Sequence, residues 1–391
     1  MILATLLYGF TEILSYGGLY YLRTARNINY NPVDTVSNGH KDAISKLVNR
    51  KNRYIEVSPT LGWTLKKNGT SWLYQANSSG IRSDKEYEIK RSADILRIST
   101  FGDSFTHCDD VKNDETWQTI METSDRKLEV INFGVPGFGL DQAYLRYLED
   151  GRQYKSDIAL IGFMTENIYR NVNTFRPFCF PATGLPIAKP RFSISGEKLA
   201  LIPNPMQSLD DYKMFLHNPR KFLSRAGAED YYYQKRYKSG LFDWSPTVRI
   251  SSIFFNTIKP VKDDIVVDGF YSETSEAFRV TKAIFSSFYN AVKKDQAMPI
   301  IVIFPNRNDI DRYSRQKQKR YSPILSYFNS KGYAYIDLAD TFQAAMAEHK
   351  IQDLCAGHYS PLANRLVAET LLRYKNENNL NRLAGRKYKG K

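Results

Sequence analysis

Cysteine is scarce in this chain, and the 391 residues include only Cys108, Cys179 and Cys355. Three cysteines cannot build a disulfide framework, and none of them stands in the CxxC spacing of a metal or redox pair. A single disulfide stays open. The sequence also has no zinc-finger spacing, RNA-binding signature or internal repeat, so it predicts a globular protein without nucleic-acid partners. No metal or organic cofactor is implied.

Acidic residues are in the minority, with 41 Asp and Glu against 55 Lys and Arg, and the formal net charge is +14. The basic residues are spread along the chain. Such a balance suits an anionic partner, for example a phospholipid surface or an acidic polysaccharide. The basic residues near the C terminus are interpreted as a solvated tail over 376–391, and they are Arg386, Lys387, Lys389 and Lys391.

Residues 1–26 are interpreted as an N-terminal hydrophobic anchor. The segment from Met1 to Leu22 is mostly apolar, and as a helix it would span about 30 Å, the thickness of a bilayer's hydrocarbon core. Glu12 opposes this interpretation, because an acid in the middle of a membrane helix costs about 2.5 to 3.5 kcal/mol. A signal peptide and a buried or interfacial helix are the alternatives.

The rest of the chain divides by pattern. Residues 27–95 are polar and turn-rich and are interpreted as an irregular lead-in packed on the core. From Leu96 onward short apolar runs alternate with amphipathic stretches, which predicts a parallel sheet flanked by helices. Residues 175–269 break this alternation and are interpreted as an insertion, with a hairpin over 189–203. The predicted strands are 96–101, 128–132, 158–164, 300–304 and 333–338. The predicted helices are 116–124, 141–153, 274–294, 312–328 and a last one with Ser360 as N-cap and Pro361 as its first residue.

Ser104 is the candidate nucleophile. It lies in the segment TFGDSFT, where an apolar strand runs through Gly102 into a turn and the start of a helix. Backbone N–H groups at a helix start favour negative charge, so an attacking alkoxide and a developing oxyanion would both be stabilised. The plain alternative is an ordinary serine at a capped helix start.

Three later segments carry further polar groups. The loop 132–139, NFGVPGFG, is rich in glycine and can bring backbone N–H groups close to a ligand. Asn167 ends the third predicted strand, where its amide can donate to an oxyanion. His358 stands on a loop before the last helix, which is the context that a Ser–His pair requires. Taken singly, each also fits a structural role: a tight turn, a loop amide, a surface histidine.

The order Ser, Gly, Asn, His after successive strands resembles the SGNH hydrolase superfamily of GDSL-like esterases, lipases and acyltransferases, in particular its membrane-anchored bacterial-type members. The resemblance is carried by LRISTFGDSFTHCDDVKNDETW, EVINFGVPGFGLDQAYLRYLEDG and ALIGFMTENIYRN. It implies a doubly wound, flavodoxin-like parallel α/β sheet of about five strands over residues 96–375. It also implies Ser104 as nucleophile, His358 as general base, and an oxyanion hole of Ser104, Gly137 and Asn167.

The sequence departs from this family at two cysteines. An Asp usually precedes the catalytic histidine by three residues, and here that position is Cys355. Asp353 is the tentative substitute, and a main-chain carbonyl is the other. Because losing the orienting acid costs roughly 10⁴ in rate in serine proteases, an inactive homologue is an alternative. Cys108 stands where the family often has Gly, and the two cysteines together raise the hypothesis of a Cys108–Cys355 disulfide.

The function that the resemblance implies is a serine esterase that cleaves an O-acyl ester, expected to be O-acetyl, on a cell-surface glycan or lipid. The substrate does not follow from the motif residues, because the fold hosts several activities. The alternatives are a glycan O-acyltransferase with a membrane acyl-donor protein as partner, and a non-catalytic binding or scaffold subunit. The resemblance places the domain on the exported side of the membrane, whereas Arg23 and Arg26 favour the cytoplasmic side.

Overall fold

The computed structural model describes residues 2–26, 36–90, 92–196, 198–238, 240–258 and 264–384. The strands, in chain order, are β1 (Ile55–Ser58), β2 (Gly62–Leu65), β3 (Leu96–Phe101), β4 (Leu128–Asn132), β5 (Ile158–Met164), β6 (Arg191–Ser195), β7 (Lys198–Ile202), β8 (Val266–Val267), β9 (Phe270–Tyr271), β10 (Met298–Phe304) and β11 (Tyr335–Asp337). The helices, in chain order, are α1 (Ile2–Arg26), α2 (Asn38–Val48), α3 (Ser104–His107), α4 (Trp117–Ser124), α5 (Leu140–Arg146), α6 (Asn167–Arg170), α7 (Arg176–Cys179), α8 (Leu209–His217), α9 (Pro219–Gly227), α10 (Pro246–Ile258), α11 (Glu276–Lys294), α12 (Arg307–Gln316), α13 (Ser322–Lys331), α14 (Ala339–Ala345), α15 (Ile351–Leu354) and α16 (Pro361–Glu377).

The central sheet has five parallel strands in the order β4-β3-β5-β10-β11. Numbered along the chain, this is the 2-1-3-4-5 order of flavodoxin-like doubly wound sheets. The predicted α/β sheet is therefore confirmed. The chain changes direction between β3 and β5, and ligands bind in such sheets beyond the carboxyl ends of the strands at this switch point.

Helices cover both faces of the sheet, so its strands are mainly apolar, and the polar residues of β3, Arg97, Ser99 and Thr100, are buried as well. Every residue of β3 and β5 is buried. On one face Phe101 and Phe163 join a core with α5 and α11, and on the other Ile98 joins a core with α4 and α16. The structure gives β3, β4 and β5 the predicted bounds.

Two predicted helices differ from the observed ones. The helix predicted over 312–328 is two helices, because Lys317 has a left-handed φ of 54° that ends α12 and Pro323 lies in the first turn of α13. The helix predicted over 141–153 is α5, a π-helical turn over 147–151 and a 3₁₀ turn over 152–154. The last helix has Ser360 as its N-cap and Pro361 as its first residue, as predicted.

The lead-in is more regular than expected. It contains α2, whose capping box pairs Ser37 with His40, and the antiparallel pair β1–β2. The pattern of the capping box is hidden because a histidine replaces the usual Glu or Gln. Trp63 on β2 is fully buried, and its Nε1 donates to the carbonyl oxygen of Pro136 at 2.8 Å. The lead-in thus supports the glycine-rich loop.

The insertion contains the predicted hairpin, formed by β6 and β7, together with helices α7 to α10. Buried polar contacts hold it to the core. Lys189 forms an ion pair with Asp141, and both side chains are almost completely buried. The carboxylate of Asp230 accepts hydrogen bonds from the backbone of Thr174 and Tyr232.

The structure describes the N-terminal helix but not the basic residues near the C terminus. Helix α1 has 25 residues and is long and apolar enough to cross a membrane by length and composition. The basic residues 386–391 of the predicted tail lie outside the described residues.

Candidate active site

Ser104 is the first residue of α3, directly after the carboxyl end of β3. Asp103 is the N-cap of this helix, and its carboxylate accepts the N–H of Phe105 at 3.0 Å. Gly102 is required at the turn, because a Cβ there would lie 2.0 Å from Thr106 Oγ1. The structure therefore contains the strand-to-helix turn that the sequence predicts.

Arg170 links this turn to two other loops of the site. Its Nη1 donates to the buried carboxylate of Asp103 at 3.2 Å and to the carbonyl oxygen of Phe138 at 2.7 Å. Burial raises the pKa of Asp103, and the nearby charge of Arg170 opposes that rise. One guanidinium on α6 thus joins the nucleophile turn to the glycine-rich loop.

The three groups predicted to form the oxyanion hole follow three adjacent strands, β3, β4 and β5. Gly137 has a left-handed φ of 78°, and its carbonyl oxygen accepts a hydrogen bond from Arg176 at 2.6 Å. Asn167 is fully buried, and its side chain lies near the carboxylate of Asp103, where a hydrogen bond favours the ionised acid. An amide in this position can also donate to a developing oxyanion.

His358 lies in the turn between α15 and α16, beside the nucleophile turn. Its ring centroid is 5.3 Å from that of Phe105. Among the described residues, no hydrogen bond joins Ser104 Oγ to the His358 ring. Catalytic hydrogen bonds are often longer before substrate binds, and proton transfer between these two side chains stays a prediction.

Asp110, rather than Asp353, contacts His358. One carboxylate oxygen of Asp110 accepts the backbone N–H of His358 at 3.1 Å, and the other lies 3.3 Å from its Nδ1. Asp353 instead accepts the N–H of Lys350 at 3.2 Å, as a cap of α15. The acid proposed from the sequence is thus used within its own helix, and the observed partner of His358 comes from the loop after Ser104.

Arg82, in the lead-in, fixes the loop that carries Asp110. Its guanidinium donates to the carbonyl oxygens of Cys108 and Val111, both at 2.6 Å, and to that of His107. The same group lies over the ring of Tyr74, 4.3 Å from the centroid. Arg82 is almost fully buried, and breaking its hydrogen bonds would leave buried polar groups without partners, which is costly. Its contacts therefore hold the backbone before and after Asp110 in place.

All three cysteines are free, so the hypothesis of a Cys108–Cys355 disulfide is wrong for this structure. Burial raises the pKa of Cys108 and of Cys355 to about 12 each, which keeps both thiols protonated at neutral pH. Both residues are small and buried, and neither is suited to act as a nucleophile.

Asp110 and Arg82 are the functional candidates that the sequence did not reveal. A signal for Asp110 existed, because two acids directly follow Cys108, at the same loop where the sequence departs from the family. Arg82 left no such signal, since its partners are backbone carbonyl groups. Among the described residues no group of three or more His, Cys, Asp or Glu side chains could hold a metal ion.

No protein-family model matches the chain, and no curated protein matches it. A search of solved structures finds similarity to a member of the lipolytic G-D-S-L family from Veillonella parvula, with 12% identity, 71% of this chain and 96% of that chain covered, and a TM-score of 0.36. The acetylxylan esterase Axe2 from Geobacillus stearothermophilus matches with 11% identity, coverage of 71% and 93%, and a TM-score of 0.37. The acetyl xylan esterase AlAXEase matches with 13% identity, coverage of 71% and 99%, and a TM-score of 0.37.

Proposed function

We propose that the chain is an SGNH-type serine esterase that cleaves an O-acyl ester, O-acetyl above all, on a cell-surface glycan or lipid. The observation that carries this proposal is the contact between Asp110 and His358 beside the start of α3, where Ser104 is 5% exposed. It supplies the carboxylate that Cys355 does not, so the arrangement contains a nucleophile, a base and an orienting acid.

The mechanism follows from these positions. With Nδ1 directed at Asp110, the Nε2 of His358 takes the proton of Ser104 as its oxygen attacks the ester carbonyl. The Ser104 and Gly137 N–H groups and the Asn167 amide stabilise the oxyanion. The intermediate collapses to an acyl-enzyme, and His358 returns the proton to the departing alcohol. Water then attacks the acyl group by the same route. Asp110 acts through His358 and is a positioning residue.

A surface cleft favours a glycan as the substrate. It has a volume of about 530 Å³ and is lined in part by Trp72, Tyr74 and the segment 112–114, which continues the chain from Asp110. Trp72 is 91% exposed. An exposed aromatic ring suits a sugar, which presents apolar ring faces.

The same proposal assigns α1 as a membrane anchor, with the domain on the exported side. Eleven large apolar side chains of α1 are at least half exposed. Exposure of these side chains is unfavourable in water and favourable in the hydrocarbon of a membrane. An anchored esterase would act on ester groups at the membrane surface.

The first test is labelling by a fluorophosphonate probe, which reacts with activated serines. We expect labelling of the wild type, none of Ser104→Ala, and strongly slowed labelling of His358→Ala, because loss of the catalytic histidine alone costs roughly 10⁶ in kcat in a serine protease. The matched controls are Ser79→Ala, an exposed serine, and His349→Ala. Folded wild-type protein that does not label would overturn the esterase proposal and favour a non-catalytic subunit.

A second measurement separates the substrate classes. O-Acetylated polysaccharides and acyl lipids are compared as substrates, and released acetate is counted against acetyl groups transferred to an added sugar. Acetate release from the polysaccharide supports the proposal. Faster transfer to the sugar than to water would instead support the O-acyltransferase with a membrane acyl-donor partner.

A further inference from the structure

Helix α1 packs against α10, a helix of the insertion that lies far from it in sequence. Three contacts fix their alignment. Glu12 accepts a hydrogen bond from Ser245 Oγ at 2.6 Å, Ser15 Oγ lies 3.0 Å from Thr247 Oγ1, and a Cβ on Gly18 would lie 2.7 Å from Ile250 Cδ1. Later residues of α1 contact later residues of α10, so the two helices run parallel.

The position of Glu12 along α1 indicates how deep these contacts would lie in a membrane. It lies ten residues after the start of α1 and fourteen before its end, which is about 15 Å along the axis from the first residue. If α1 crosses a hydrocarbon core about 30 Å thick, Glu12 is near its middle. Ser245, its partner, must then lie at the same depth.

The polar contacts at this depth provide hydrogen bonds that the hydrocarbon of a membrane cannot provide. The carboxylate of Glu12 also faces the N–H of Thr247 at 3.4 Å, at the start of α10 where N–H groups have no helical acceptor. Arg249 donates to the carbonyl oxygen of Asp243, whose carboxylate accepts the N–H of Gly240 at 2.7 Å. Ionisable groups in a membrane are found in such pairings.

The surface of the same segment is apolar. The turn before α10 exposes Leu241 at 91%, Phe242 at 64% and Trp244 at 65%, and α10 exposes Phe254 and Phe255 at 63% and 66%. They belong to a segment that packs on α1, whose own large apolar side chains are also exposed. Exposed apolar surface of this extent, on a helix of membrane length and its neighbour, fits hydrocarbon.

We propose that residues 240–258 are a re-entrant membrane segment. The turn 241–244 lies near the middle of the bilayer beside Glu12, and α10 returns from there, parallel to α1, towards the side on which the globular domain lies. Non-helical backbone at this depth is tolerated where it packs against protein, as it does here on α1. The inference rests on the proposal that α1 spans the membrane.

The test uses the tryptophans of the full-length chain in phospholipid vesicles. Trp63 and Trp117 are fully buried, whereas Trp72 and Trp244 are exposed. In Trp72→Phe the exposed reporter is Trp244, and in Trp244→Phe it is Trp72. We expect lipids brominated deep in their acyl chains to quench the first variant and not the second. Aqueous iodide should quench the second and not the first.

A pair of glycine variants tests the helix contact in the Trp72→Phe background. Gly18→Leu places a side chain against Ile250 and should shift Trp244 quenching from deep to shallow bromine. Gly9→Leu, with no atom within 4 Å of its Cβ, is the matched control and should leave quenching unchanged.

The outcomes separate this inference from the anchor proposal. Protein that floats with the vesicles while Trp244 is open to iodide and unquenched by bromine keeps α1 as anchor and overturns the re-entrant segment. Protein that does not float overturns both.

Discussion

Asp110 holds His358 by two contacts, one to the backbone N–H and one to the ring. The contact at the ring favours a proton on Nδ1, which in the proposed mechanism leaves Nε2 as the base. The requirement is a carboxylate at a place in space, and a chain can supply it from any nearby loop. Here the loop after the nucleophile supplies it.

Replacement of Asp110 by Asn should therefore lower kcat/KM and the rate of fluorophosphonate labelling. We expect a loss of about 10² to 10⁴; the upper limit is that of the buried acid in serine proteases. A smaller loss is expected from a side chain that is 52% exposed. Asp353→Asn is the control and should leave both rates unchanged. Equal losses in the two variants, or a loss only in Asp353→Asn, would contradict the assignment.

Residues of the site could be predicted where they stand next to an element that the sequence shows clearly. Ser104 and Asn167 directly follow buried strands, and His358 precedes a helix with a plain N-cap. Asp110 could not be predicted in this way, because its contact with His358 joins distant parts of the chain. Nothing in the local sequence distinguishes it from Asp109, whose carboxylate bonds the buried ring of His107 instead.

A buried ion pair joins the insertion to helix α5, which packs on the sheet. Lys189 lies just before β6 and Asp141 in the first turn of α5, and their ion pair is closed off from solvent. Burial raises the pKa of Asp141 and lowers that of Lys189, while each charge opposes the shift of the other. Removing one partner of a buried pair leaves the other charge without compensation.

We expect Lys189→Met to lower the free energy of unfolding by about 3 to 5 kcal/mol. The double variant Lys189→Met with Asp141→Asn should lose much less than the sum of the two single variants. Without Lys189 the raised pKa of Asp141 means that the folded state holds a proton that the unfolded state releases. The loss in Lys189→Met should therefore grow as pH rises from 5 to 8. Denaturant unfolding at both pH values measures this, and additive losses that do not change with pH would contradict the pairing.

Elements of the sheet could be bounded from sequence because both faces bury apolar side chains, which leaves continuous apolar runs such as β5. Elements of the insertion could not, since α8 and α9 pack through scattered aromatic residues such as Phe215 and Phe222. The sequence pattern does not predict the break between α12 and α13. The break depends on the left-handed backbone of Lys317, and a lysine gives no sequence signal for that conformation.

In the whole molecule, the proposed membrane contact and the candidate site lie on different parts of the chain. The site is built at the carboxyl ends of β3, β4 and β5 and on the loops that Arg82 and Arg170 hold. Helix α1 packs on α10, outside the sheet. Anchoring should therefore set where the protein acts, while the chemistry depends on the sheet.

Deletion of residues 1–26 should consequently leave the labelling rate of Ser104 unchanged and remove vesicle binding that depends on α1. The same deletion uncovers the inner side of α10 next to side chains that are already exposed, Phe254 and Phe255 among them. Exposed apolar surface of this extent promotes association, so the shortened protein should self-associate or retain detergent, as measured by light scattering after size exclusion. Serine at positions 241, 242, 244, 254 and 255 should return it to a monomer with the same labelling rate. A shortened protein that is monomeric without these changes would contradict the membrane role of the segment, and one that folds but no longer labels would show that the site depends on α1.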